Sequence, residues 1–369
     1  MASSVDKFNE KAEEDKIKGL YFDGKLDKTT KVLRLDEDSG RFHPETVAEE
    51  HYSVTWEPSG KYLFHFTPEP PEAKEKPAQK LAQPIHEWLV ERNSTEELVL
   101  IRADSTSTNT GSKGGAITHL EKLLGHKCQW DICEIHINEL PLRHLIRKLD
   151  GPFIPKSGFT GPIGKLLHKV NDLPRNYNFT PFSNAESLIQ IPEDVVNHMS
   201  TDQKNSYRLV EARITGKLTP ELAAIKCGLL NTSRWLTTGE ALVILSMCNH
   251  GIEGEVLRVF NVLLEFTIKV YFNLYFKIKV QHHLKYGPQH VVNSLAAVKV
   301  QSEEVRDIIT DVVIRGSYHA HSENILTAQL CSDNRAERDF AVDQILMLRN
   351  GSDIGDMGLR LHLTPDLLT

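Results

Sequence analysis

The sequence predicts an α/β fold: a layered domain built on a mixed β-sheet over the first 150 residues, followed by a mainly helical region. Two observations support this fold class. Short β-forming runs separated by turn residues come first, and alternating strand and helix patterns follow them. The chain of 369 residues is long enough for two or three domains, and its hydrophobic content of 40% is typical of globular proteins.

Turn residues predict two hairpins near the N-terminus. Residues 17–22 form an apolar run that ends at Asp23-Gly24, which we interpret as a strand entering a tight turn. Lys31–Leu35 is a candidate return strand. His51–Trp56 and Lys61–Phe66 then flank the turn sequence EPSG, which is typical of a β-hairpin.

Strand and helix patterns alternate after these hairpins. Ala78–Arg92 has the spacing of an amphipathic helix, and Leu98–Ile101 is a short aliphatic strand. Gly115–Leu124 is a predicted helix, Gln129–Ile135 a predicted strand and Leu140–Leu149 a further helix. The resulting order, β-β-β-α-β-α-β-α, is the one expected of an RNase H-like layered α/β domain.

A loop rich in glycine and proline, GPFIPKSGFTGPIG at positions 151–164, is a candidate domain boundary. The chain beyond it is mainly helical in pattern as far as Asn350. The longest apolar stretch, Val256–Val280, is long enough to span a bilayer, but charged residues interrupt it. We predict a buried or amphipathic helix there and no membrane span; the interrupting residues are Arg258, Glu265, Lys269, Lys277 and Lys279.

Cysteine usage and charge restrict the compartment and the partners. The five cysteines are scattered and odd in number, which indicates a reducing compartment without a disulfide framework. The first 18 residues are mostly polar and acidic, so neither secretion nor a mitochondrial address is expected, and we predict a nuclear or cytoplasmic location. The net charge of -7 means that a positive surface for DNA must be local, or must be supplied by a domain that this chain lacks.

Asp23 and Asp104 are candidate ligands of Mg²⁺ or Mn²⁺. We expect Asp23 at the end of the first strand and Asp104 just past the strand that follows the first helix; strand ends are rigid positions from which carboxylates can grip hard cations. In an RNase H-like sheet the first and fourth strands are neighbours, so the two acids would face one another. Each also has an ordinary structural interpretation, as a turn residue or a helix cap.

Two longer segments resemble the hAT superfamily of transposases. The segments ADSTSTNTGSKGG and WDICEIHINELPLRHL resemble the region in which the second catalytic Asp and a Cys-x-x-His motif each end a strand, and Cys133 and His136 match that motif. The segment NTSRWLTTGEAL matches the family's Arg-Trp pair at Arg234 and Trp235. The similarity extends over roughly residues 18–350.

The resemblance implies an RNase H-like core, interrupted by an all-helical insertion, with a catalytic Asp-Asp-Glu triad. Asp23 and Asp104 match the two aspartates, and we choose Glu323 as the glutamate because it opens a late helix. Asn324 replaces the Arg that usually follows in the family. Glu323 has a plain alternative role in complementing a helix N-terminus, and the competing candidates for the third acid are Glu303 and Glu304.

Five segments follow from the patterns and the resemblance together. They are a polar N-terminal tail (1–16), an RNase H-like core (17–150), a mainly helical insertion (151–310), C-terminal helices returning to the core (311–350) and an irregular tail (351–369).

The candidate DNA contacts come partly from the resemblance and partly from the charge pattern of the sequence. The resemblance places His136 near the scissile phosphate and implies that Trp235, beside Arg234, stacks on a base; burial of Trp235 as an anchor of the helical region is the alternative. Arg143 and Arg147 lie on one basic helical face that would meet phosphate, unless the face is simply solvated. DNA is therefore the expected partner, through a local surface.

Two functional hypotheses remain open. Members of the family usually carry an N-terminal zinc finger of BED type and a C-terminal dimerisation segment, and we recognise neither here, so oligomerisation stays undefined. The first hypothesis is a divalent-metal-dependent DNA nuclease or strand transferase that cleaves phosphodiesters by in-line attack. The second is a non-catalytic, domesticated binding or scaffold protein of transposon origin that keeps the fold.

Overall fold

The computed structural model describes residues 16–36, 39–69, 76–111, 113–154, 157–182, 188–230, 235–281, 283–320, 330 and 334–349. The chain divides into two compact units whose boundary in the sequence lies between Cys133 and Glu134. Unit 1 contains a mixed β-sheet with helices, and unit 2 is almost entirely helical. The predicted α/β class is confirmed, while the predicted domain limits stay predictions.

Unit 1 contains a five-stranded sheet and three helices. Its elements are β1 (Gly19–Asp36), β2 (Arg41–Trp56), β3 (Lys61–Phe66), α1 (Pro77–Glu91), β4 (Leu100–Ala103), α2 (Ser107–Thr110), α3 (Ala116–Leu124) and β5 (Gln129–Ile132). The strand order across the sheet is β3-β2-β1-β4-β5. The first three strands are antiparallel to one another, whereas β1, β4 and β5 run parallel.

Strand β1 is longer than the sequence pattern predicted. The expectation that it turns at Asp23-Gly24 and returns through Lys31–Leu35 is wrong, because β1 continues to Asp36 and β2 begins at Arg41. Gly24 has a packing role instead. It pairs with Tyr52 on β2, and a Cβ at Gly24 would lie 2.5 Å from the tyrosine ring, so only glycine leaves room for that ring.

The core of unit 1 lies between one face of the sheet and its helices. Alternate residues of the strands are fully buried, as the period of two along a strand requires. Apolar residues of α1 and α3 are buried with them. Each such side chain contributes about 1.5–3 kcal/mol relative to exposure; the buried residues include Leu20, Phe22, Val54, Ile101, Ile132, Leu81, Ile85, Leu89, Ile117 and Leu120.

The region after β5 differs from the prediction. The predicted strand 129–135 ends at Ile132, and helix α4 (Glu134–Leu149) begins well before the predicted Leu140. Cys133 therefore directly follows a strand, but His136 lies in the first turn of a helix rather than at a strand end. Glu134 in that first turn complements the positive end of the helix dipole.

Unit 2 continues from α4 through a short β-hairpin into helices. Its further elements are β6 (Phe153–Ile154), β7 (Gly158–Phe159), α5 (Pro162–Leu167), a 3₁₀ turn (Val170–Asp172), α6 (Glu193–His198), α7 (Thr201–Thr215), α8 (Pro220–Ala223), α9 (Leu236–Leu245), α10 (Gly254–Phe266), a π-helical segment (Thr267–Phe272), α11 (Asn273–Val280), α12 (His283–Lys299), α13 (Glu303–Ala320) and α14 (Arg335–Arg349).

Two helical segments form the centre of unit 2. Every residue of α9 is buried. Residues Gly254–Val280 form one continuous helix. Within the described part of the chain, this helix is long and apolar enough to cross a membrane, by length and composition alone. Since 67% of its most apolar window is buried inside the protein, it fits the prediction of a buried helix. Asn138 donates a hydrogen bond of 3.0 Å to the carbonyl of Tyr271 in the π-helical segment.

Candidate functional site

Asp23 and Asp104 occupy matching positions on adjacent parallel strands. The register of β1 against β4 pairs Tyr21 with Arg102, two residues before each aspartate. Side chains alternate along a strand, so each aspartate lies on the same sheet face as the residue two positions before it. Neighbouring strands lie about 4.8 Å apart. Continued by two residues, this register would place Asp23 beside Asp104, which directly follows the end of β4.

Cys133 completes a row of three side chains. The register of β4 against β5 pairs Arg102 with Asp131, so the same continuation sets Asp104 beside Cys133. Asp23 is exposed, and Asp104 and Cys133 are half-buried. The row is thus open to solvent beside the carboxyl ends of β4 and β5, while Asp23 lies inside the longer strand β1. Ligands of α/β sheets commonly bind at the carboxyl ends of strands.

Both aspartates contribute to raising the pKa values of two tyrosines, Tyr21 and Tyr52. Burial raises the pKa of Tyr21, and the neighbouring charges of Cys133, Asp23 and Asp104 raise it further, against the opposing effect of Arg102. Burial also raises the pKa of Tyr52, together with Glu50 and then the same two aspartates. Both carboxylates lie near each of these tyrosines, which agrees with the proximity that the strand register gives.

The Asp104 carboxylate is held by the loop that follows it. Its Oδ1 accepts hydrogen bonds from the Thr106 backbone N–H at 3.0 Å, from the Thr106 hydroxyl at 2.7 Å and from the Asn109 amide at 2.6 Å. This is an Asx-type turn, the loop-stabilising role expected of the residue as an alternative. Among the described residues all three of these donors reach Oδ1, so the turn fixes the carboxylate without using Oδ2.

Glycines keep this loop tight. A Cβ at Gly115 would lie 2.4 Å from the backbone nitrogen of Gly111 and 2.6 Å from the carbonyl oxygen of Asn109. Only glycine allows such a close approach of two backbone segments. Glycine is therefore required for the tight loop that positions Asn109. Asn109 in turn donates a hydrogen bond to the Asp104 carboxylate.

A buried ion cluster lies one row behind the aspartates. The Arg102 guanidinium donates to Glu57 at 3.0 Å, lies 3.5 Å from Asp131 and stacks 4.6 Å from the centre of the Tyr21 ring. Sequence reasoning missed this cluster. The available clue was an arginine inside the short apolar strand LIRA. The cluster holds one guanidinium and two carboxylates, so the charge of Arg102 is already compensated within it.

The third acid is not identified by the structure. Glu323 and Asn324 lie outside the described residues. Of the competitors, Glu304 accepts two hydrogen bonds from Arg258, at 2.8 and 3.2 Å, and Glu303 is exposed in the first turn of α13. Among the residues that the structure describes, no group of three or more His, Cys, Asp or Glu side chains is arranged to hold a metal ion.

The predicted DNA contacts are in unit 2. Arg143 and Arg147 are exposed on α4, and His136 is half-buried in the first turn of that helix. Arg147 also lines an open groove with His144, Lys148, Asp307 and Ile308. Arg234 lies outside the described residues.

Trp235 is buried rather than presented to solvent. Its side chain is only 4% exposed, and its ring meets that of Phe159 edge to face at 6.0 Å. Its backbone N–H donates to Glu139 at 3.2 Å. A stacking platform for a base needs an open ring face, which Trp235 does not present here. Burial favours the alternative interpretation, that this residue anchors the helical unit.

Comparisons with known proteins do not assign this chain to a family. No family model matches the chain, and no curated protein matches it. Among solved structures, one described as "Drosophila P element transposase strand transfer complex" aligns with 100% of this chain and 85% of its own, at 12% sequence identity and a TM-score of 0.27. A similarity at this level establishes neither a shared fold nor a shared function.

Proposed function

We propose that unit 1 is the RNase H-like core of a transposase-derived protein and acts as a divalent-metal-dependent DNA nuclease or strand transferase. The single observation that carries the proposal is the register of β1 and β4, which pairs Tyr21 with Arg102, two residues before Asp23 and Asp104. In an RNase H-like sheet the first and fourth strands are neighbours, and β1 and β4 are neighbours here. The origin in the hAT superfamily rests on the motif resemblance at Cys133, His136 and the Arg-Trp pair.

The donor set fits a hard divalent cation. Two carboxylates on adjacent strands offer the oxygen ligands that Mg²⁺ and Mn²⁺ prefer. Asp23 is exposed, and the turn that fixes Asp104 uses Oδ1, so Oδ2 can point toward a ligand. Asp23 and Asp104 would hold the ion, with Glu323 as the proposed third ligand. A bound ion would supply Lewis-acid stabilisation of the phosphodiester and a lowered pKa for a bound water.

The remaining roles belong to the residues themselves. The turn of Thr106 and Asn109 holds the Asp104 carboxylate in one orientation, which reduces the entropy lost when a ligand binds. The exposed guanidiniums of Arg143 and Arg147 are proposed contacts of the DNA phosphates, and His136 is a further candidate. A nuclear location would suit such a substrate.

Nicking of supercoiled plasmid DNA in Mn²⁺ tests the proposal. Asp23→Asn and Asp104→Asn keep side-chain size and remove the ligand charge, so we expect each to lower the nicking rate at least about 100-fold. Asp27→Asn is the matched control, because Asp27 lies four residues further along β1 on the same face. Asp23→Asn and Asp104→Asn variants that nick plasmid DNA as fast as the wild-type protein does would contradict the proposal.

A non-catalytic scaffold is the second candidate. It is favoured by the three hydrogen bonds that already occupy Asp104 Oδ1, since a residue used only for a turn needs no ligand. The same assay separates the two. A folded wild-type protein that fails to nick plasmid in Mg²⁺ or Mn²⁺ supports the scaffold, whereas metal-dependent nicking abolished by Asp104→Asn excludes it.

A further inference from the structure

The loop that follows Asp104 leads to a basic recess in unit 1. The loop ends at Gly115, the N-cap of α3, and α3 packs against α1, whose N-cap is Lys76. The Lys76 side chain reaches across to Gly114, because its Nζ lies 3.4 Å from the position that a Cβ at Gly114 would occupy. The beginnings of two helices therefore meet at this loop.

The imidazole of His119 faces the same point. Its Nε2 lies 3.9 Å from that Cβ position at Gly114, is buried, and has no hydrogen-bond partner among the described residues. A buried polar atom without a partner is costly, and most such atoms in folded proteins have one. In the tautomer that carries its proton on Nε2, an acceptor beside Gly114 would satisfy this nitrogen and the Lys76 ammonium together.

The charges that act on His119 are positive. Burial lowers the pKa of His119, and the charges of Lys122 and then Lys76 lower it further. Both lysines are exposed, and Lys113 is a third exposed lysine directly before Gly114. We call the recess formed by Lys76, Gly114, His119 and Lys122 the cradle. An anion in the cradle would offset the repulsion among these groups.

Gly114 keeps the cradle open. A Cβ at this position would make only ordinary van der Waals contacts with Lys76 and His119, so glycine leaves space there that is not needed for packing. The first N–H groups of a helix lack partners within the helix, and the helix dipole favours a negative charge beside them. Cationic side chains next to the start of α3 are therefore suited to a phosphate group, which offers several acceptor oxygens.

We propose that the cradle binds a backbone phosphate of the DNA substrate, an assignment that rests on the function proposed above. The cradle and the candidate cation site share one loop. Asn109 donates a hydrogen bond to the Asp104 carboxylate, and its carbonyl oxygen lies against Gly115 at the start of α3. A phosphate contact positions a strand without reading its sequence. The cradle thus holds the DNA strand beside Asp104 and gives unit 1 a DNA contact of its own.

Fluorescence anisotropy of a labelled DNA duplex with the full chain, in EDTA, tests the cradle. Lys76→Gln combined with Lys122→Gln should weaken binding at least about 5-fold and reduce the dependence of log affinity on log salt concentration by about 1 to 2. Lys28→Gln combined with Lys31→Gln is the matched control, because it removes the same charge from exposed positions on β1. Equal affinities and salt dependences of the two double variants would overturn the proposal.

A carboxylate placed in the cradle provides a second variant. Gly114→Asp would set its charge between Lys76 and His119, at a position where a Cβ makes no clash, so the loop should keep its fold. We expect this variant to raise the pKa of His119 and to weaken DNA binding as the double lysine variant does. Gly114→Asn has the same size without the charge and should weaken DNA binding less. Wild-type DNA affinity in Gly114→Asp would overturn the proposal.

NMR titration of the His119 imidazole identifies the occupant of the cradle. We expect a short DNA duplex to raise the pKa of His119 in the wild-type chain but not in Gly114→Asp, because a phosphate charge would offset those of Lys122 and Lys76. Inorganic phosphate is the second arm and should act only at far higher concentrations than DNA. Inorganic phosphate that saturates the cradle and is not displaced by DNA would mean a site for free phosphate and would overturn the assignment.

These measurements are separable from the nicking assay, because binding in EDTA does not depend on a bound cation. Cradle variants that lose DNA affinity in a chain that never nicks plasmid would retain the cradle and exclude the nuclease. Plasmid nicking that requires Asp104, together with unchanged DNA binding by the cradle variants, would retain the nuclease and exclude the cradle.

Discussion

The Asp23–Asp104 pair of unit 1 and Glu240 of unit 2 have opposite environments. In unit 1, Asp23 and Asp104 come from neighbouring strand positions and lie where solvent reaches them. In unit 2, Glu240 lies on a helix with no exposed residue, and its carboxylate accepts a hydrogen bond of 2.6 Å from the Ser206 hydroxyl. Burial raises the pKa of Glu240 to about 7, with a further increase from Asp202 and opposing hydrogen bonds from Ser206 and Cys227.

This difference separates a candidate site from a structural polar residue. A carboxylate that can bind a cation must be reachable from solvent, as the exposed Asp23 and the half-buried Asp104 are. A carboxylate inside a helical core is favoured in its neutral form and serves the packing around it. Two aromatic residues show a similar contrast, because Trp235 in unit 2 is buried whereas Phe42 on β2 of unit 1 is exposed to solvent.

The largest stability effect is expected at Trp235. If this residue anchors unit 2, Trp235→Ala creates a cavity beside Phe159 and lowers the free energy of unfolding by about 3–5 kcal/mol. Denaturant unfolding followed by circular dichroism measures the change. If Trp235→Ala instead left stability unchanged while weakening binding to single-stranded DNA, the stacking role would be correct and the contrast between the units would fail.

The ion cluster of unit 1 gives the next effect. Arg102→Met removes the cation from the buried Glu57 carboxylate. Because this leaves a buried charge without its partner, the free energy of unfolding should fall by about 3 kcal/mol. Arg34→Met breaks an exposed ion pair with Glu45 between β1 and β2, so it should lower the free energy of unfolding by less than about 1 kcal/mol. Equal losses in urea unfolding of the two variants would show that the Arg102 cluster is no more buried than a surface pair.

Glu240 should make the stability of unit 2 depend on pH. Its pKa is raised to about 7 in the folded state from an ordinary value of 4.5, so the folded state binds the proton more tightly. The stabilisation is complete below about pH 4.5 and is lost as the pH rises through 7, by roughly 3 kcal/mol. Glu240→Gln, compared with wild type in unfolding curves from pH 5 to 8, should remove this dependence; an unchanged pH profile would contradict the assignment.

The smallest effect concerns Gly24. A methyl group there would press on the Tyr52 ring, so Gly24→Ala should destabilise unit 1 by about 1–3 kcal/mol. Gly40→Ala is a useful comparison because Gly40 has a left-handed backbone and open space around its Cα, so its cost comes from the backbone alone. A rise in stability for Gly24→Ala would mean that the ring does not lie over the strand.

Much of unit 1 could be predicted from the sequence because its information is local. Turn residues separate the strands, and helix α3 ends at Gly125 in the left-handed conformation that its sequence indicated. The extent of β1 could not be predicted, since Asp23-Gly24 has the same letters as a turn and only the partner Tyr52 explains it. The Arg102 cluster joins residues 45 positions apart in sequence, which no periodicity reveals.

The candidate site shows the same division. Asp104 followed by a Ser/Thr/Asn/Gly loop is a local pattern, and the loop indeed fixes that side chain. The neighbouring position of Asp23 depends on sheet order, which the predicted element order implied. The burial of Trp235 depends on the packing of Phe159 and Glu139 against it, and a sequence motif contains no information on that packing.

Direct measurement of Mn²⁺ binding by electron paramagnetic resonance tests the central claim, that two acids from adjacent strands form one cation site. The account predicts saturable Mn²⁺ binding by the wild-type chain, weakened at least about 10-fold by Asp23→Asn and by Asp104→Asn alike and unchanged by Asp27→Asn. Mn²⁺ affinity that is insensitive to Asp23→Asn, with Asp104→Asn equally without effect, would contradict it.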